Sequence, residues 1–296
     1  MRGLRMSLIA LTAAKGAPGV TTTAIALAGV WPRAGSGNWP VLLAECDPSG
    51  GDVALRLRGP GQRVLAQDRG MISLAAAIRQ ADFAEPMLWD HVQTLDGGLP
   101  VLISPSAPRL ASAMEVTWPL VAGALAGLRS TDVIADCGRL HDSGGGREVL
   151  ARAELVVMLV TPSVPAVAHL RYGIEALTHG DASAARPDRI GVVVVVDQRR
   201  RKSVLRDIAA FLARDGLPAT VLGAIALDPV GAAGLSGHWG SRVDRTELVS
   251  STRAVASTLV GVLGDQAARA ARTFPDRERE PARAAGPVPA ARVRNG

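Results

Sequence analysis

The sequence has no uninterrupted apolar run of 18 residues and only two cysteines, Cys46 and Cys137. A membrane-spanning helix needs about 20 mostly apolar residues, so the lack of a long apolar run argues against such a helix. Two cysteines make no disulfide framework, which predicts a reducing, cytoplasmic location. The first apolar stretch is broken by Thr12 and Lys15, which favours a strand over a secretion signal. The cysteines are either buried small residues or, with weaker support, a redox pair.

Lysine is almost absent, since only Lys15 and Lys202 among the 33 basic residues are not arginine. Lys15 lies in a glycine-containing loop, where a compact point charge suits a phosphate cradle better than the bulkier arginine fork. The formal net charge is +6, and residues 264–296 hold seven arginines against four acids, or half of that excess. The charge of the remaining chain is modest and does not by itself indicate nucleic-acid binding.

The 296 residues, 48% of them hydrophobic, are enough for one large α/β domain. Runs rich in Val, Ile and Leu alternate with helical stretches, which predicts a mostly parallel sheet flanked by helices on both faces. Strands are predicted at residues 8–13, 41–44, 99–103, 132–135, 155–160, 190–196 and 220–225. Helices are predicted at residues 22–30, 72–79, 111–128, 164–177, 203–213 and 248–263. We expect residues 1–263 to form this domain and residues 264–296, rich in Arg, Ala and Pro, to be a disordered tail.

The loop after the first predicted strand is a candidate phosphate site. Gly16 and Gly19 allow the backbone to turn its N–H groups inward, and the following helix adds its N-terminal dipole, which together predict an anion site. Thr21 stands where the hydroxyl of a P-loop binds Mg²⁺. Taken alone, the loop has the alternative interpretation of a plain strand-to-helix turn without a ligand.

Residues 15–22, Lys-Gly-Ala-Pro-Gly-Val-Thr-Thr, resemble the deviant Walker A loop Lys-Gly-Gly-x-Gly-Lys-Thr-Thr of the ParA/MinD-like P-loop ATPases. The resemblance implies that ATP phosphates are bound by Lys15, Gly16, Gly19, Val20, Thr21 and Thr22. It gives Lys15 a catalytic role, because the family's lysine at this position reaches across a sandwich dimer to the partner's nucleotide. Val20 takes the place of the ordinary P-loop lysine on the β- and γ-phosphates. Loss of that contact is expected to weaken affinity about tenfold to a hundredfold.

Two acidic motifs follow in the same order as in that family. Residues 41–52 resemble its strand ending Asp-x-Asp-Pro-x-Gly, which implies a catalytic and Mg²⁺-organising role for Asp47 and places Glu45 at the first aspartate position. Residues 132–138 resemble the Walker B strand, which implies that Asp136 holds Mg²⁺ through water. A solvated turn residue is the alternative for each acid. Three motifs in the family's order outweigh these separate alternatives.

The resemblance covers roughly residues 6–263, with less specific motifs in the second half. Asp197 follows the strand whose end contacts the purine base in relatives, which often have Asn there, so adenine or guanine preference stays open. The densest basic cluster is Arg199, Arg200, Arg201 and Lys202. It could bind DNA phosphates, but its shortness and lack of interleaved aromatics favour a solvated loop. A terminal helix at 248–263 has few basic residues, which favours core packing over membrane targeting.

Three functional hypotheses follow from the resemblance. The first is an ATP- and Mg²⁺-dependent homodimeric switch, with weak or absent hydrolysis, that positions or partitions a cargo such as a chromosome or pilus or secretion machinery. The second is a non-catalytic scaffold with the same fold, which Val20 favours. The third is a DNA-partitioning protein that uses the basic cluster. Altered P-loops also occur in TadZ/CpaE proteins, which localise pilus or secretion machinery, but this chain lacks room for their N-terminal receiver-like domain.

Overall fold

The computed structural model describes residues 6–16, 18–31, 41–141, 145–178, 189–236 and 243–273. Its strands form one sheet in the order β3-β4-β2-β5-β1-β6-β7-β8, in which only the β3–β4 pair is antiparallel. The strands are β1 (Leu8–Ala13), β2 (Val41–Glu45), β3 (Gln93–Thr94), β4 (Pro100–Leu102), β5 (Asp132–Arg139), β6 (Leu155–Val160), β7 (Ile190–Val196) and β8 (Thr220–Ala226).

Helices cover both faces of this sheet, as the sequence predicts. They are α1 (Val20–Val30), α2 (Val53–Arg56), α3 (Met71–Gln80), α4 (Glu85–His91), α5 (Pro108–Ala113), α6 (Trp118–Ala126), α7 (Gly145–Arg152), α8 (Val164–Thr178), α9 (Arg201–Arg214), α10 (Pro229–Leu235) and α11 (Glu247–Thr273). Successive residues of a strand point to opposite faces, so Leu8 and Ala10 of β1 join one core cluster while Ile9 and Leu11 join the other. Helices α1, α2, α10 and α11 pack on the second face, and α3, α4 and α6 to α9 pack on the first.

The single helix predicted over residues 111–128 is wrong. The structure has α5, a 3₁₀ turn at Glu115–Thr117 and then α6, which has Pro119 in its first turn. Proline lacks an N–H and is tolerated at the start of a helix but not in its interior, so one continuous helix cannot pass through this position.

Two elements extend beyond their predicted ends. β5 continues to Arg139 because its neighbour β1 supplies partners as far as Ala13, which pairs with Arg139. Asp136 therefore lies inside a strand and not at its last residue. α11 continues to Thr273, ten residues into the predicted tail, because the segment is rich in alanine and arginine, which are good helix formers. Residues 274–296 lie outside the described residues, and the domain boundary stays a prediction.

Several short elements were missed, among them α2, α4, α7, α10 and the two-residue β3. Each has eight residues or fewer, too few for helical or strand periodicity to distinguish it from a loop. None of the helices in the described ranges is both long and apolar enough to cross a membrane.

Candidate functional site

The loop between β1 and α1 has the backbone geometry of an anion cradle. Gly16 and Gly19 both have positive φ, 81° and 83°, and Gly19 is the N-terminal cap of α1. A Cβ atom on Gly16 would meet nothing within 4 Å, so the space above the loop is open. Lys15 and Gly16 are exposed there, whereas Ala17 lies outside the described residues. This geometry fits the phosphate groups of a nucleotide.

Val20 does not offer its side chain to a ligand at this loop. It is only 6% exposed and packs in the same core cluster as Ala24 and Ile25 of α1. Thr21 and Thr22, which follow it in the first turn of α1, are half-buried. Any contact between Val20 and a phosphate is therefore limited to its backbone, and the loop lacks the usual cation at this position.

Asp136 is the buried carboxylate of the site. It pairs with Leu11 of β1 and Glu45 of β2 in the middle of the sheet and is 2% exposed. Its Oδ1 accepts a 3.1 Å hydrogen bond from the Gly138 N–H, and the Thr21 hydroxyl also donates to this carboxylate. Burial, together with the nearby Asp47 charge, raises the pKa of Asp136 to about 6 despite these hydrogen bonds.

Asp47 lies beside Asp136, immediately after β2. Its Oδ1 accepts a 2.7 Å hydrogen bond from the Ser49 N–H, and its side chain covers Gly138, where a Cβ would overlap the carboxylate. Gly138 has a φ of 58°, so both its backbone and its lack of a side chain suit this contact. The two acidic motifs thus meet at one point.

Glu45 has a different role from Asp47, although the two are close in sequence. Its carboxylate accepts hydrogen bonds from the N–H groups of Val53, at 2.8 Å, and Ser104, at 3.0 Å. Burial raises the pKa of Glu45 to about 7, against these hydrogen bonds, and the charge of Asp136 adds to the increase. A Cβ on Gly51 would collide with this carboxylate. Glu45 therefore ties β4 and α2 to the loop that carries Asp47.

Arg56, at the end of α2, is a site residue that the sequence analysis missed. Its Nη2 donates a 3.1 Å hydrogen bond to the Oγ1 of Thr22, and its positive charge lowers the pKa of Asp136. The available signal was the missing lysine at Val20, which calls for another cation nearby. Arg56 lies nine residues after Asp47, and neither motif includes it.

Thr21, Asp47 and Asp136 together offer the hydroxyl and carboxylate oxygens that Mg²⁺ prefers. No group of three or more His, Cys, Asp or Glu side chains that could hold a metal ion occurs in the described part of the chain. Mg²⁺ retains several waters and takes one or two carboxylates together with phosphate oxygens, so this donor set fits the ion as a companion of a nucleotide. It does not fit a metal held by protein ligands alone.

Asp197 and the basic cluster lie apart from these residues, after β7, which β6 separates from β1. Asp197 is exposed, and its Oδ1 accepts a 2.8 Å hydrogen bond from the N–H of Arg199. The cluster is not a loop, because it forms a 3₁₀ turn at Gln198–Arg200 and the first residues of α9. Arg199, Arg200 and Lys202 are exposed and Arg201 is half-buried. The base-binding role of Asp197 stays a prediction.

Cys46 and Cys137 are both fully buried and form no disulfide. Their thiols are hydrogen-bonded to each other, which together with burial raises the pKa of Cys137. A buried, protonated thiol is a poor nucleophile, so the structure favours small core residues over a redox pair.

Comparisons with known proteins extend this description at the level of the fold. No protein-family model and no curated protein matches the sequence. A ParA family ATPase from Chlorobium tepidum superimposes with a TM-score of 0.65 and 17% identity, covering 85% of this chain and 98% of that one. A McdA variant from Cyanothece in complex with ATP gives 0.61 and 18%, covering 87% and 98%. MinD from Pyrococcus furiosus, a cell division ATPase, gives 0.59 and 17%, covering 86% and 99%.

At these identities the likeness shows the fold alone. The chain has the fold of the ParA/MinD P-loop ATPases over most of its length, which confirms the fold expected from the three motifs. A relationship to the TadZ/CpaE proteins stays a prediction.

Proposed function

We propose that this protein is a nucleotide switch that binds ATP and Mg²⁺ in the loop after β1 and uses them to position or partition a cellular cargo. One observation carries the proposal: the open glycine loop, the Thr21 hydroxyl and the carboxylates of Asp47 and Asp136 converge at the carboxyl edge of the central strands. Ligands of open α/β sheets bind at this edge.

The burial of the Asp136 carboxylate supports the proposal that a cation binds next to it. Burying a carboxylate costs free energy unless it is paired or coordinates a metal. Its hydrogen bonds from Gly138 and Thr21 do not offset that cost, since its pKa stays raised. Mg²⁺ with a nucleotide would neutralise both Asp136 and Asp47.

Nucleotide binding would control a homodimer in this proposal. Lys15 is exposed at the rim of the loop, so it is free to contact a second subunit's nucleotide. Weak or absent hydrolysis is part of the proposal because Val20 leaves the loop without its ordinary lysine. The cargo in this proposal is a chromosome or a pilus or secretion machine.

A non-catalytic scaffold that keeps the fold without a bound nucleotide is the second candidate. The burial of Val20 favours it, because the loop then has one charged phosphate ligand fewer. In the scaffold, substitutions in the loop would change neither association nor ligand binding. A DNA-binding partition protein is the third candidate, supported by the exposure of Arg199, Arg200 and Lys202.

Light scattering coupled to gel filtration tests the switch on the full chain. With Mg-ATP we expect the molar mass to rise from monomer toward dimer, and with EDTA in place of Mg²⁺ we expect it to stay unchanged. The Lys15→Ala variant should still bind Mg-ATP, although more weakly than the wild type, and should no longer form the dimer. A molar mass that is the same with and without nucleotide, in both proteins, would favour the scaffold.

A further inference from the structure

A phosphate cradle of this kind needs a cation close to the phosphate groups, and the buried Val20 leaves that position without one. Lys15 is exposed at the rim of the loop, on the other side of Gly16. The neighbourhood of the first turn of α1 therefore decides whether the phosphates meet a second positive charge.

Arg56 reaches this neighbourhood from a neighbouring element. Its guanidinium donates to the Thr22 hydroxyl at 3.1 Å, and Thr22 is in the first turn of α1, directly after Thr21. Its charge also lowers the pKa of Asp136, whose carboxylate accepts a hydrogen bond from the Thr21 hydroxyl. The hydrogen bond to Thr22 places the guanidinium at the first turn of α1, next to the residue whose hydroxyl contacts Asp136.

The backbone at Arg56 is held in place by its buried neighbours. Val53, Ala54 and Leu57 around it are buried in the core cluster that also holds Val20. The Val53 N–H is held by Glu45, and the Gly51 N–H donates to the Pro105 carbonyl at 3.0 Å. The segment that leads from Asp47 into α2 is therefore anchored to β2 and to the loop after β4.

The guanidinium also has capacity for a ligand. An arginine has five N–H donors, arranged in a fork that matches phosphate oxygens. In the ranges that the structure describes, Arg56 forms no ion pair, and its one side-chain partner is Thr22. A half-buried arginine next to an open anion cradle, with most of its donors unused, is suited to an anion.

We infer that Arg56 supplies the phosphate-binding cation that the loop lacks at Val20, so that α2 completes the nucleotide site in cis. This inference rests on the proposed function, since it names the residue that makes Mg-ATP binding feasible at an altered loop. It assigns Arg56 to the phosphate groups and not to the base.

Calorimetric titration of the full chain tests this assignment. Mg-ATP and inorganic tripolyphosphate with Mg²⁺ are titrated into the wild type, Arg56→Ala, Arg56→Gln and Arg56→Lys. Arg56→Ala and Arg56→Gln each remove one charge-assisted contact, so the affinity for both ligands should fall about tenfold to a hundredfold. Arg56→Lys, which keeps the charge, should lose less, and adenosine should bind the four proteins equally.

Two controls separate a phosphate contact from a merely structural one. Arg56→Lys keeps the positive charge on a side chain one atom shorter, whereas Arg56→Gln loses the charge and also falls short of the Thr22 hydroxyl. A phosphate contact predicts that Arg56→Lys retains more affinity than Arg56→Gln, whereas a residue that only positions Thr22 predicts equal losses in the two variants. Arg63→Gln removes the same charge seven residues further along, from an exposed side chain, and should leave both affinities unchanged. Thermal unfolding confirms that every variant is folded.

The outcomes distinguish this inference from the proposed function. If the wild type binds Mg-ATP and Arg56→Gln binds it equally well, the assignment of Arg56 is wrong while the nucleotide switch stands. Equal losses in Arg56→Gln and Arg63→Gln would reduce the effect to general charge and would also overturn it. If the wild type binds neither ligand at millimolar concentration, both proposals are wrong.

Discussion

The carboxyl ends of β2, β5 and β7 lie at the same edge of the sheet. The acidic residues near these ends nevertheless differ in burial and in their hydrogen-bond partners. Asp136 is buried beside Asp47, with a raised pKa. Asp197 is exposed, and its carboxylate accepts the N–H of Arg199 in its own turn. The first region keeps charge in a place where burial disfavours it, while the second satisfies its charge locally.

This difference indicates that Asp136 is suited to binding a ligand, whereas Asp197 is stabilised by its own turn. A buried carboxylate without an adequate partner lowers the free energy of unfolding, so its presence is explained best by a cation that binds there. An exposed carboxylate that caps a turn needs no such explanation. We therefore expect substitutions in the first region to change ligand binding strongly and those in the second to change it little.

Asp136→Asn should give the largest effect. Removing the buried charge should weaken Mg-ATP binding about a hundredfold, because a carboxylate partner of the metal is lost. The free energy of unfolding of the ligand-free protein at pH 8 should rise or stay the same, because the buried charge that burial disfavours is gone. Calorimetry and denaturant unfolding in EDTA measure the two quantities.

Asp197→Asn is the matched control for that substitution, since it removes one charge at the same sheet edge. Asn retains an oxygen that accepts from the Arg199 N–H, so we expect wild-type stability and little change in affinity. Equal losses of Mg-ATP affinity in the two variants would contradict the contrast between the regions.

Gly138→Ala should give the next largest effect. Gly138 has a φ of 58°, and a Cβ there would overlap Asp47, so the carboxylate must move. We expect Mg-ATP affinity to fall about tenfold and the free energy of unfolding to fall by about 3 kcal/mol.

Gly216→Ala provides the comparison for backbone strain alone. Gly216 has a φ of 61°, and a Cβ there would meet nothing within 4 Å. It should lose about 1–2 kcal/mol of stability and keep its Mg-ATP affinity. A similar loss of affinity in both glycine variants would show that Asp47 does not depend on Gly138.

Glu45→Gln should change the pH dependence of stability by a smaller amount. The pKa of Glu45 is about 7 in the folded protein, against an ordinary value of 4.5, so the folded state binds more protons between these values. Stability of the wild type in EDTA should therefore fall as pH rises from about 5 to 8, by on the order of 2 kcal/mol from this residue. Denaturant unfolding across this range should show a shallower decline in Glu45→Gln; an unchanged slope would contradict the account of Glu45.

Neutralising the exposed basic cluster should have the smallest effect on the nucleotide site. Arg199→Gln, Arg200→Gln and Lys202→Gln combined should leave Mg-ATP affinity unchanged, because the cluster follows β7 and not the strands of the site. Retention on DNA that depends on salt and disappears in this variant would instead support the partition hypothesis. A drop in nucleotide affinity would mean that the second region contributes to the site.

The sequence predicted the parts of the molecule that repeat a strong local pattern. The apolar runs of β1, β6 and β7 and the glycine loop before α1 have periodicity or composition that local physics determines. The helix break at Pro119 was also readable, since proline is disfavoured in a helix interior, but the flanking apolar residues suggested one continuous helix. The extension of β5 could not be predicted from its own sequence, because it depends on how far the neighbouring strand β1 continues.

The site was predictable where a motif lies in one segment and not where it is assembled from several. Thr21, Asp47 and Asp136 were singled out by the resemblance of their motifs to those of the ParA/MinD-like ATPases, and the structure brings them close together, while their roles stay predictions. Arg56 was missed because only the packing of α2 against the core brings it to Thr22. The function of Glu45 was equally hidden, since its partners Val53 and Ser104 lie 8 and 59 residues away.

Calorimetric titration of Mg-ATP into the wild-type full chain tests the central claim most directly. The account predicts binding in the micromolar range or weaker that requires Mg²⁺ and is lost in Asp47→Ala, because the nucleotide and the metal occupy the site together. No detectable heat at millimolar Mg-ATP, with the protein shown to be folded, would contradict the account and leave the fold as a scaffold.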